Sequence, residues 1–167
     1  FLATAYVRVN TKRAHLADPR VRRALALAID REALCKNVLR ATKFPARSLT
    51  PPGTAGFNPP VGFADDLAAA KALLAEAGYP EGRGLPPVEA LYPTSDNGRI
   101  IMEAIQQMWK KAGIETEIVP TEQVQLIRSA MARQYQAMGS IGCFAAALIE
   151  QAIRRADRAV IDGGEDD

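Results

Sequence analysis

One run near the amino terminus, residues 18–34, constrains the fold of this 167-residue chain more than any other. Asp18 can accept hydrogen bonds from the free N–H groups of a first helical turn, and Pro19 suits the first helical position because no donor is needed there. Apolar residues then repeat at i, i+3, i+4 and i+7, which indicates a helix with one buried face: Val21, Ala24, Leu25 and Ala28. Asp30 can cap a second helix that runs to about Leu39. The run therefore predicts two short helices in series.

The rest of the chain alternates between strand patterns and helix patterns. The patterns predict strands at residues 88–92, 115–119 and 135–141. They predict helices that begin at Asp65 or Asp66, at Asp96 or Asn97, and at Thr121 with Glu122, the last one carrying Val124, Ile127 and Met131. The unit 88–119 has the length of a βαβ crossover, and such crossovers are right-handed. The chain is therefore predicted to be α/β, with helices packed on a sheet.

Four blocks of this sequence resemble, in the same order, the signature segments of the peptide-binding proteins of ABC importers. The blocks are residues 6–34, 51–59, 70–80 and 105–114. In the first block, residues 6–11 resemble the family's opening strand with its Asn-Thr pair. The chain is identified as a member of this oligopeptide, dipeptide and nickel solute-binding family (family 5). The resemblance implies a lobe of the periplasmic-binding-protein type, a small mixed sheet flanked by helices, over residues 1–144. A C-terminal helix and an acidic tail are expected over residues 145–167.

The family implies a function without catalysis. Its members capture a peptide or a similar solute between two lobes and deliver it to an ABC permease, in the periplasm or outside the cell. Only the second lobe is matched here, and the residues after Met138 resemble an internal deletion, so we expect a truncated chain that binds peptides weakly. Two alternatives stay open: a self-associating α/β interaction module that dimerises through an exposed apolar face, or a non-functional remnant.

The resemblance also implies where a ligand would lie. Tyr92 begins a loop that follows a strand, and in the family this loop faces the cleft. Ser140, Ile141 and Cys143 stand where the ligand-contacting aromatic and acidic residues of the family begin. No acidic residue occupies this second segment, and a desolvated peptide amine needs a carboxylate partner. We therefore expect the position of the site to be kept and its affinity to be reduced.

Composition argues against other classes of function. The chain has 21 Lys+Arg and 19 Asp+Glu, a net charge of +2 that does not call for nucleic acid or an anionic membrane. No apolar run approaches the roughly eighteen residues of a membrane span. His15 is the only histidine and is predicted to lie in a surface loop, so no catalytic residue, metal site or cofactor is expected. Cys35 and Cys143 belong to no metal-binding spacing, and whether they pair stays open.

Overall fold

The computed structural model describes residues 3–40, 42–51 and 64–143, and the side chains of residues 4–139 within those ranges. Its strands are β1 (Ala3–Val9), β2 (Val88–Pro93), β3 (Thr116–Thr121) and β4 (Ala137–Cys143). Its α-helices are α1 (Ala14–Ala17), α2 (Pro19–Leu27), α3 (Arg31–Ala33), α4 (Leu67–Glu76), α5 (Asp96–Lys111) and α6 (Gln123–Ala132). A π-helix, Leu34–Val38, continues α3. The expected C-terminal helix and acidic tail lie outside the described residues.

The four strands form one mixed sheet in the order β1-β4-β2-β3. β2 is parallel to both β3 and β4, and β1 is antiparallel to β4. The predicted α/β class and the predicted βαβ crossover, β2–α5–β3, are therefore confirmed. The chain then returns across the sheet through α6 to β4. Because right-handed crossovers in opposite directions place their helices on opposite faces, α5 and α6 cover different sides of the sheet.

Two cores follow from this layering. The larger core lies between one face of the sheet and α2, α4 and α5, and its most deeply buried large side chains are Trp109, Leu16, Leu74, Ile114, Val21 and Val88. The smaller core lies under α6 and consists of Leu91, Leu126, Tyr135 and Met138. The carboxyl ends of the parallel strands β2, β3 and β4 lie at the same end of the sheet. We call this end the carboxyl edge, to distinguish it from the lateral edges formed by the outer strands β1 and β3. In open α/β sheets this is the edge where ligands bind.

The helix starts agree closely with the sequence patterns. The Asp18 side chain accepts from the backbone N–H of Arg20 at 2.8 Å, with Pro19 at the first helical position of α2. Asp30 caps α3, and of the two candidates for α4 it is Asp66 that accepts from a backbone N–H of the first turn. Each cap satisfies a donor that the helix leaves open.

The carboxyl end of α2 is capped by groups from distant parts of the chain. The last turn, residues 25–27, leaves three carbonyl oxygens without intrahelical partners. Trp109 donates its indole N–H to the first at 2.9 Å, Arg31 donates to the second at 3.1 Å, and the backbone N–H of Asp66 donates to the third at 3.0 Å. Arg31 also forms an ion pair with Asp65. The corner between α2 and α3 is thereby fixed to both α4 and α5.

The strand β3 does not end before Pro120, as the pattern predicted, but continues through it to Thr121. The N–H of Val88 donates to the carbonyl of Glu115, and that of Thr94 donates to Thr121. In a parallel ladder these two bonds mean that the odd-numbered residues of β3 direct their backbone N–H and C=O groups toward β2. The nitrogen of Pro120 therefore points to the outer edge of the sheet, where its missing N–H removes no ladder hydrogen bond.

Helix α6 buries a different face from the one that its apolar residues mark. Leu126 and Ser129 are buried. Val124, Ile127 and Met131, which the pattern groups as the apolar face, are 61%, 51% and 81% exposed. The helix itself was predicted correctly, but the orientation implied by its apolar face was wrong.

Candidate functional site

The loop that follows β2 is held firmly at the carboxyl edge. Its first residue, Thr94, donates its backbone N–H to the carbonyl of Thr121 at 3.1 Å, which fastens the loop to the end of β3. Helix α5 begins at Asp96, as predicted, and Ser95 caps it by accepting from the N–H of Gly98 at 3.0 Å. Residues 94–97 are exposed. The loop therefore presents polar groups to solvent on a fixed frame.

Gly98 allows the start of α5 to approach the loop closely. A Cβ atom at this position would lie 2.5 Å from the carbonyl oxygen of Pro93 and 2.8 Å from Oγ of Ser95. Any other residue would push the helix away from the loop. The sequence contains the signal, a glycine in the first turn of a helix, but the neighbour that makes it necessary is visible only in the fold.

Tyr92, the first predicted ligand residue, lies under this loop. Its side chain is 5% exposed and belongs to the larger core. It packs between the start of α5 and β4, since a Cβ atom added at Gly98 or Gly139 would lie 3.4 or 3.8 Å from it. The ring therefore supports the loop from below, and a direct contact between Tyr92 and a solute remains a prediction.

The other predicted ligand residues lie on the last half of β4. Ser140, Ile141 and Cys143 are paired with Tyr6, Ala5 and Ala3 of β1, respectively. β2 pairs with β4 only at residues 137 and 138. Residues 139–143 therefore extend past β2 as one strand of a two-stranded ribbon with β1. The fold brings this segment and the loop after Tyr92 to the same edge of the sheet.

The backbone of this ribbon points into the gap beyond β2. The N–H of Asn10 donates to the carbonyl of Gln136 at 2.9 Å, so the even-numbered residues of β4 face β1 in the antiparallel ladder. The odd-numbered residues, 139, 141 and 143, therefore direct their N–H and C=O groups toward the side of β2. Beyond residue 138, β4 pairs on this side with no strand in the described part of the chain.

Pro93 explains why the pairing of β2 with β4 ends at residue 138 of β4. Because Thr94 bonds to β3, the preceding residue presents its nitrogen to β4. A proline there has no N–H to donate to the carbonyl of Gly139. The pairing of β2 with β4 ends at this point, and an open strand edge begins. An open edge of this kind is a template for another extended chain.

Two grooves elsewhere on the described surface carry no recognisable chemistry. One, of about 400 Å³, lies between α5 and the start of β3. The other, of about 370 Å³, contains four acidic residues, all of which are engaged. Asp30 and Asp66 cap helices, Asp65 pairs with Arg31, and Glu32 pairs with Arg47. Among the described residues, no group of three or more His, Cys, Asp or Glu side chains is arranged to hold a metal ion.

The two remaining candidates for chemistry have structural environments. His15 lies in α1 and not in a loop as predicted; it is half-buried, with Nε2 3.0 Å from Oε1 of Gln136. This pair lies near the amino end of β4, away from the carboxyl edge. Cys35 is buried, and its burial raises the pKa of its thiol, which disfavours the reactive thiolate.

A four-stranded mixed sheet with helices on both faces, and with loops exposed at its carboxyl edge, defines a lobe of the periplasmic-binding-protein type. This is the fold class that the sequence predicted. A family model described as bacterial extracellular solute-binding proteins, family 5 middle, matches residues 2–145. The chain belongs to this family, as its motifs indicated.

Individual relatives agree with the family assignment. The chain is 38% identical over 124 residues to the periplasmic murein peptide-binding protein MppA of Escherichia coli. It is 33% identical over 140 residues to the dipeptide-binding protein of the same organism, and 32% identical over 149 residues to the oligopeptide-binding protein OppA of Bacillus subtilis. The matches cover 70%, 81% and 83% of this chain but 23%, 26% and 27% of those relatives.

The solved structures give the same result. The periplasmic oligopeptide-binding protein OppAIV of Borrelia burgdorferi superimposes with a TM-score of 0.79 at 33% identity, covering 85% of this chain and 29% of that one. The unliganded open form of MppA superimposes with a TM-score of 0.77 at 34% identity, covering 84% and 28%. Within the described residues, no helix combines the length and the apolar character that a membrane span requires.

Proposed function

We propose that this chain forms part of the solute-capturing component of an ABC transporter, and that it binds peptides without catalysis in the periplasm or outside the cell. Family membership and relatives named for oligopeptide, dipeptide and murein peptide binding support the ligand class. The observation that carries the proposal is the open backbone edge of residues 139–143 beside the exposed loop 94–97.

An extended peptide would bind as an added strand. It would lie in line with β2, beyond Pro93, and exchange hydrogen bonds with the N–H and C=O groups of Ile141 and its odd-numbered neighbours. Main-chain hydrogen bonds do not depend on the ligand's side chains, so this wall accepts peptides of varied sequence. The loop 94–97 adds polar contacts at one side.

The affinity of this wall alone is expected to be low. Association must offset about 4–15 kcal/mol of lost translational and rotational freedom. The described residues contact the ligand from one side, and residues 139–143 contain no carboxylate to pair with a peptide amine. We expect dissociation constants of about 1 mM or weaker, equivalent to roughly −4 kcal/mol.

Titration of the ¹⁵N-labelled chain with tri- to pentapeptides tests the proposal. The amide signals of Ile141 and Cys143 should shift, together with those of residues 94–97, with a millimolar midpoint. A peptide N-methylated at alternate amides, of the same composition, should shift them less because it loses strand hydrogen bonds. Shifts confined to other regions would contradict the site, and a micromolar midpoint would contradict the weak affinity.

Ile141→Pro provides a matched protein-side control. It removes one N–H from the open edge without removing a bond to β1, so it should abolish the peptide-induced shifts while the spectrum of the larger core stays unchanged. An exposed substitution on α5, Glu103→Gln, should leave the shifts intact.

Self-association through β1 is the second candidate. The even-numbered residues of β1 face β4, so the backbone groups of Ala5, Val7 and Val9 point outward along an edge that holds no proline. The opposite edge is protected by Pro120 and by the amide of Gln106, which donates to the carbonyl of Thr116 at 2.7 Å.

Light scattering distinguishes this candidate. If β1 edges pair, the chain should be a dimer that becomes monomeric in Ala5→Lys, because a charge on an edge strand opposes pairing. The same charge placed on an exposed helix position, Gln125→Lys, should leave the dimer intact. A monomer at all concentrations would exclude the β1 dimer.

A further inference from the structure

One buried side chain, Asn10, joins two turns at the amino end of the sheet. It is 7% exposed and lies in the turn that follows β1. Its side-chain amide donates to the carbonyls of Arg133 and Tyr135, at 3.0 and 2.9 Å, in the turn that precedes β4. Its Oδ1 accepts from the backbone N–H of Lys12 at 3.1 Å. Because both polar atoms of this side chain are engaged, the two turns are held in a fixed arrangement.

The two turns bring three exposed cationic residues together. We call Lys12, Arg13 and Arg133 the amino-end cluster. The Nε of Arg13 donates to the carbonyl of Tyr135 at 3.3 Å, the same carbonyl that accepts from Asn10. This bond anchors the guanidinium, and its two Nη groups have no acceptor in the described part of the chain. A guanidinium held in this way presents a planar pair of donors that matches two oxygens of one oxyanion.

The charge of the amino-end cluster is not balanced by carboxylates. The five ion pairs among the described residues include none of its members. Glu89 is the one acidic residue of β2; its backbone N–H donates to the side chain of Gln136 at 3.4 Å, and its carboxylate forms no ion pair within residues 64–143 or with the described residues before them. Three like charges repel one another, and a bound anion offsets that repulsion. The net charge of +2 therefore conceals a local excess of positive charge.

Arg133 occupies a position that usually takes glycine. Helix α6 ends there, and the residue has a left-handed φ of +55°. Glycine adopts this conformation without strain and is the common residue at the end of a helix. The left-handed turn directs the carbonyl of Arg133 to Asn10, and that bond does not involve the arginine side chain. Glycine at this position would therefore keep the turn and remove only the cation.

We propose that Lys12, Arg13 and Arg133 form a binding site for an oxyanion of the phosphate type. The guanidinium of Arg13 supplies two parallel N–H donors, and the other two side chains add charge-assisted donors. The site lies at the opposite end of the sheet from the carboxyl edge, about 20 Å away along the six residues of β2. It is therefore separate from the proposed solute site, and both can be occupied at once. A soluble phosphate and the phosphate of an acidic lipid headgroup share this chemistry.

Titration of the ¹⁵N-labelled full chain with inorganic phosphate tests the site. At a constant ionic strength of about 50 mM, the amide signals of residues 10–13 and 133–136 should shift with a midpoint of about 1–10 mM, as expected for a few exposed charge-assisted contacts. Chloride at the same ionic strength should leave these signals in place, since it offers no paired oxygens. The signals of residues 94–97 should not move, because the solute site lies at the other end of the sheet.

Two variants separate binding from folding. Arg133→Gly should weaken phosphate binding by about threefold to tenfold and leave the urea unfolding midpoint nearly unchanged, because glycine fits the left-handed φ. Arg13→Gln should weaken binding by a similar factor. Arg23→Gln removes an exposed arginine of α2 outside the cluster and should leave binding unchanged.

Vesicles identify the source of the phosphate group. If headgroups are the ligand, the wild-type chain should sediment with phosphatidylcholine vesicles that contain about 30% phosphatidylglycerol, and Arg13→Gln should not. A chain that binds phosphate but stays in the supernatant takes its ligand from solution. The proposal is wrong if phosphate shifts no signal of either turn, or if chloride reproduces the shifts. It is also wrong if both cluster variants bind as the wild type does, or if Arg23→Gln weakens binding as much as they do.

Discussion

Trp109 connects the carboxyl end of α2 to the last turn of α5, and its replacement measures what that connection contributes. The indole is 1% exposed and donates to the carbonyl of Leu25, one of the helix-end carbonyls without an intrahelical partner. Trp109→Phe keeps an aromatic ring in the core but removes the donor. The carbonyl would then be buried without a hydrogen bond.

The expected cost has two parts. A buried acceptor that loses its partner costs about 1–3 kcal/mol. The smaller ring buries less apolar surface and leaves a small cavity, which adds about 1 kcal/mol at roughly 25 cal/mol per Å². We expect the free energy of unfolding to fall by about 2–4 kcal/mol, a large part of the roughly 5–15 kcal/mol that holds a domain together.

Urea denaturation followed by circular dichroism measures this loss. The unfolding midpoint should fall by about 1–2 M, given the slope of roughly 2 kcal/mol per M for a domain of this size. Ile105→Val is the matched control, because it deletes one methyl group from the same core and breaks no polar contact, at a cost of about 0.5–1.5 kcal/mol. If Trp109→Phe costs no more than Ile105→Val, the carbonyl is satisfied in another way and the reasoning fails.

Three further predictions concern named contacts. Asp65→Asn removes the charge that pairs with Arg31 and should lower the free energy of unfolding in urea by about 1.5–3 kcal/mol, whereas Glu103→Gln, in an exposed pair, should cost less than about 0.5 kcal/mol. Gly98→Ala should cost about 1–3 kcal/mol in the same assay, because its methyl group meets backbone 2.5 Å away. Burial raises the pKa of the Cys35 thiol above its ordinary 9.0, so the unfolded chain loses this proton at a lower pH than the folded chain does. The free energy of unfolding should therefore fall as pH rises past about 9, and it should fall less in Cys35→Ser. Urea unfolding at each pH measures the difference.

The features that the sequence predicted well are those that depend on neighbouring residues. Asp18 and Asp30 cap helices because a carboxylate reaches the N–H groups two or three residues ahead in any fold. The unit 88–119 becomes a parallel crossover because its length and alternation allow little else. In each case the evidence lies within one continuous segment of the sequence.

The features that the sequence missed depend on what packs next to a residue. The pattern predicts a strand that ends before Pro120, but this proline is tolerated because its nitrogen faces outward from an edge strand. The spacing places Val124 and Ile127 on the apolar face of a helix, but the side chain that packs against the sheet is that of Leu126. The start of α5 at Asp96 was predicted, but its cap, Ser95, was not singled out, because a serine and the aspartate after it are both good caps.

For the candidate site, only the placement of its segments can be compared with the fold, and their contact with a ligand stays a prediction. Resemblance placed Ser140, Ile141 and Cys143 beside the loop after Tyr92, and the fold brings both to one edge. The binding groups that the structure offers there are backbone N–H and C=O, whose direction depends on the register with β1. No reading of side-chain types reveals that register.

Two prolines show how strongly register decides the outcome. Pro93 and Pro120 both lie in strands of the same sheet, and each lacks one donor. The nitrogen of Pro120 faces the outer edge, so the ladder with β2 is complete through Thr121. The nitrogen of Pro93 faces β4, so the ladder with β4 stops, and no described strand pairs with this side of β4 beyond residue 138. An open edge inside a sheet is an aggregation hazard unless a ligand or another part of the protein fills it. In the proposed function, the gap that this strand stop leaves beside the exposed polar loop is where an extended ligand would pair with the free backbone groups of β4.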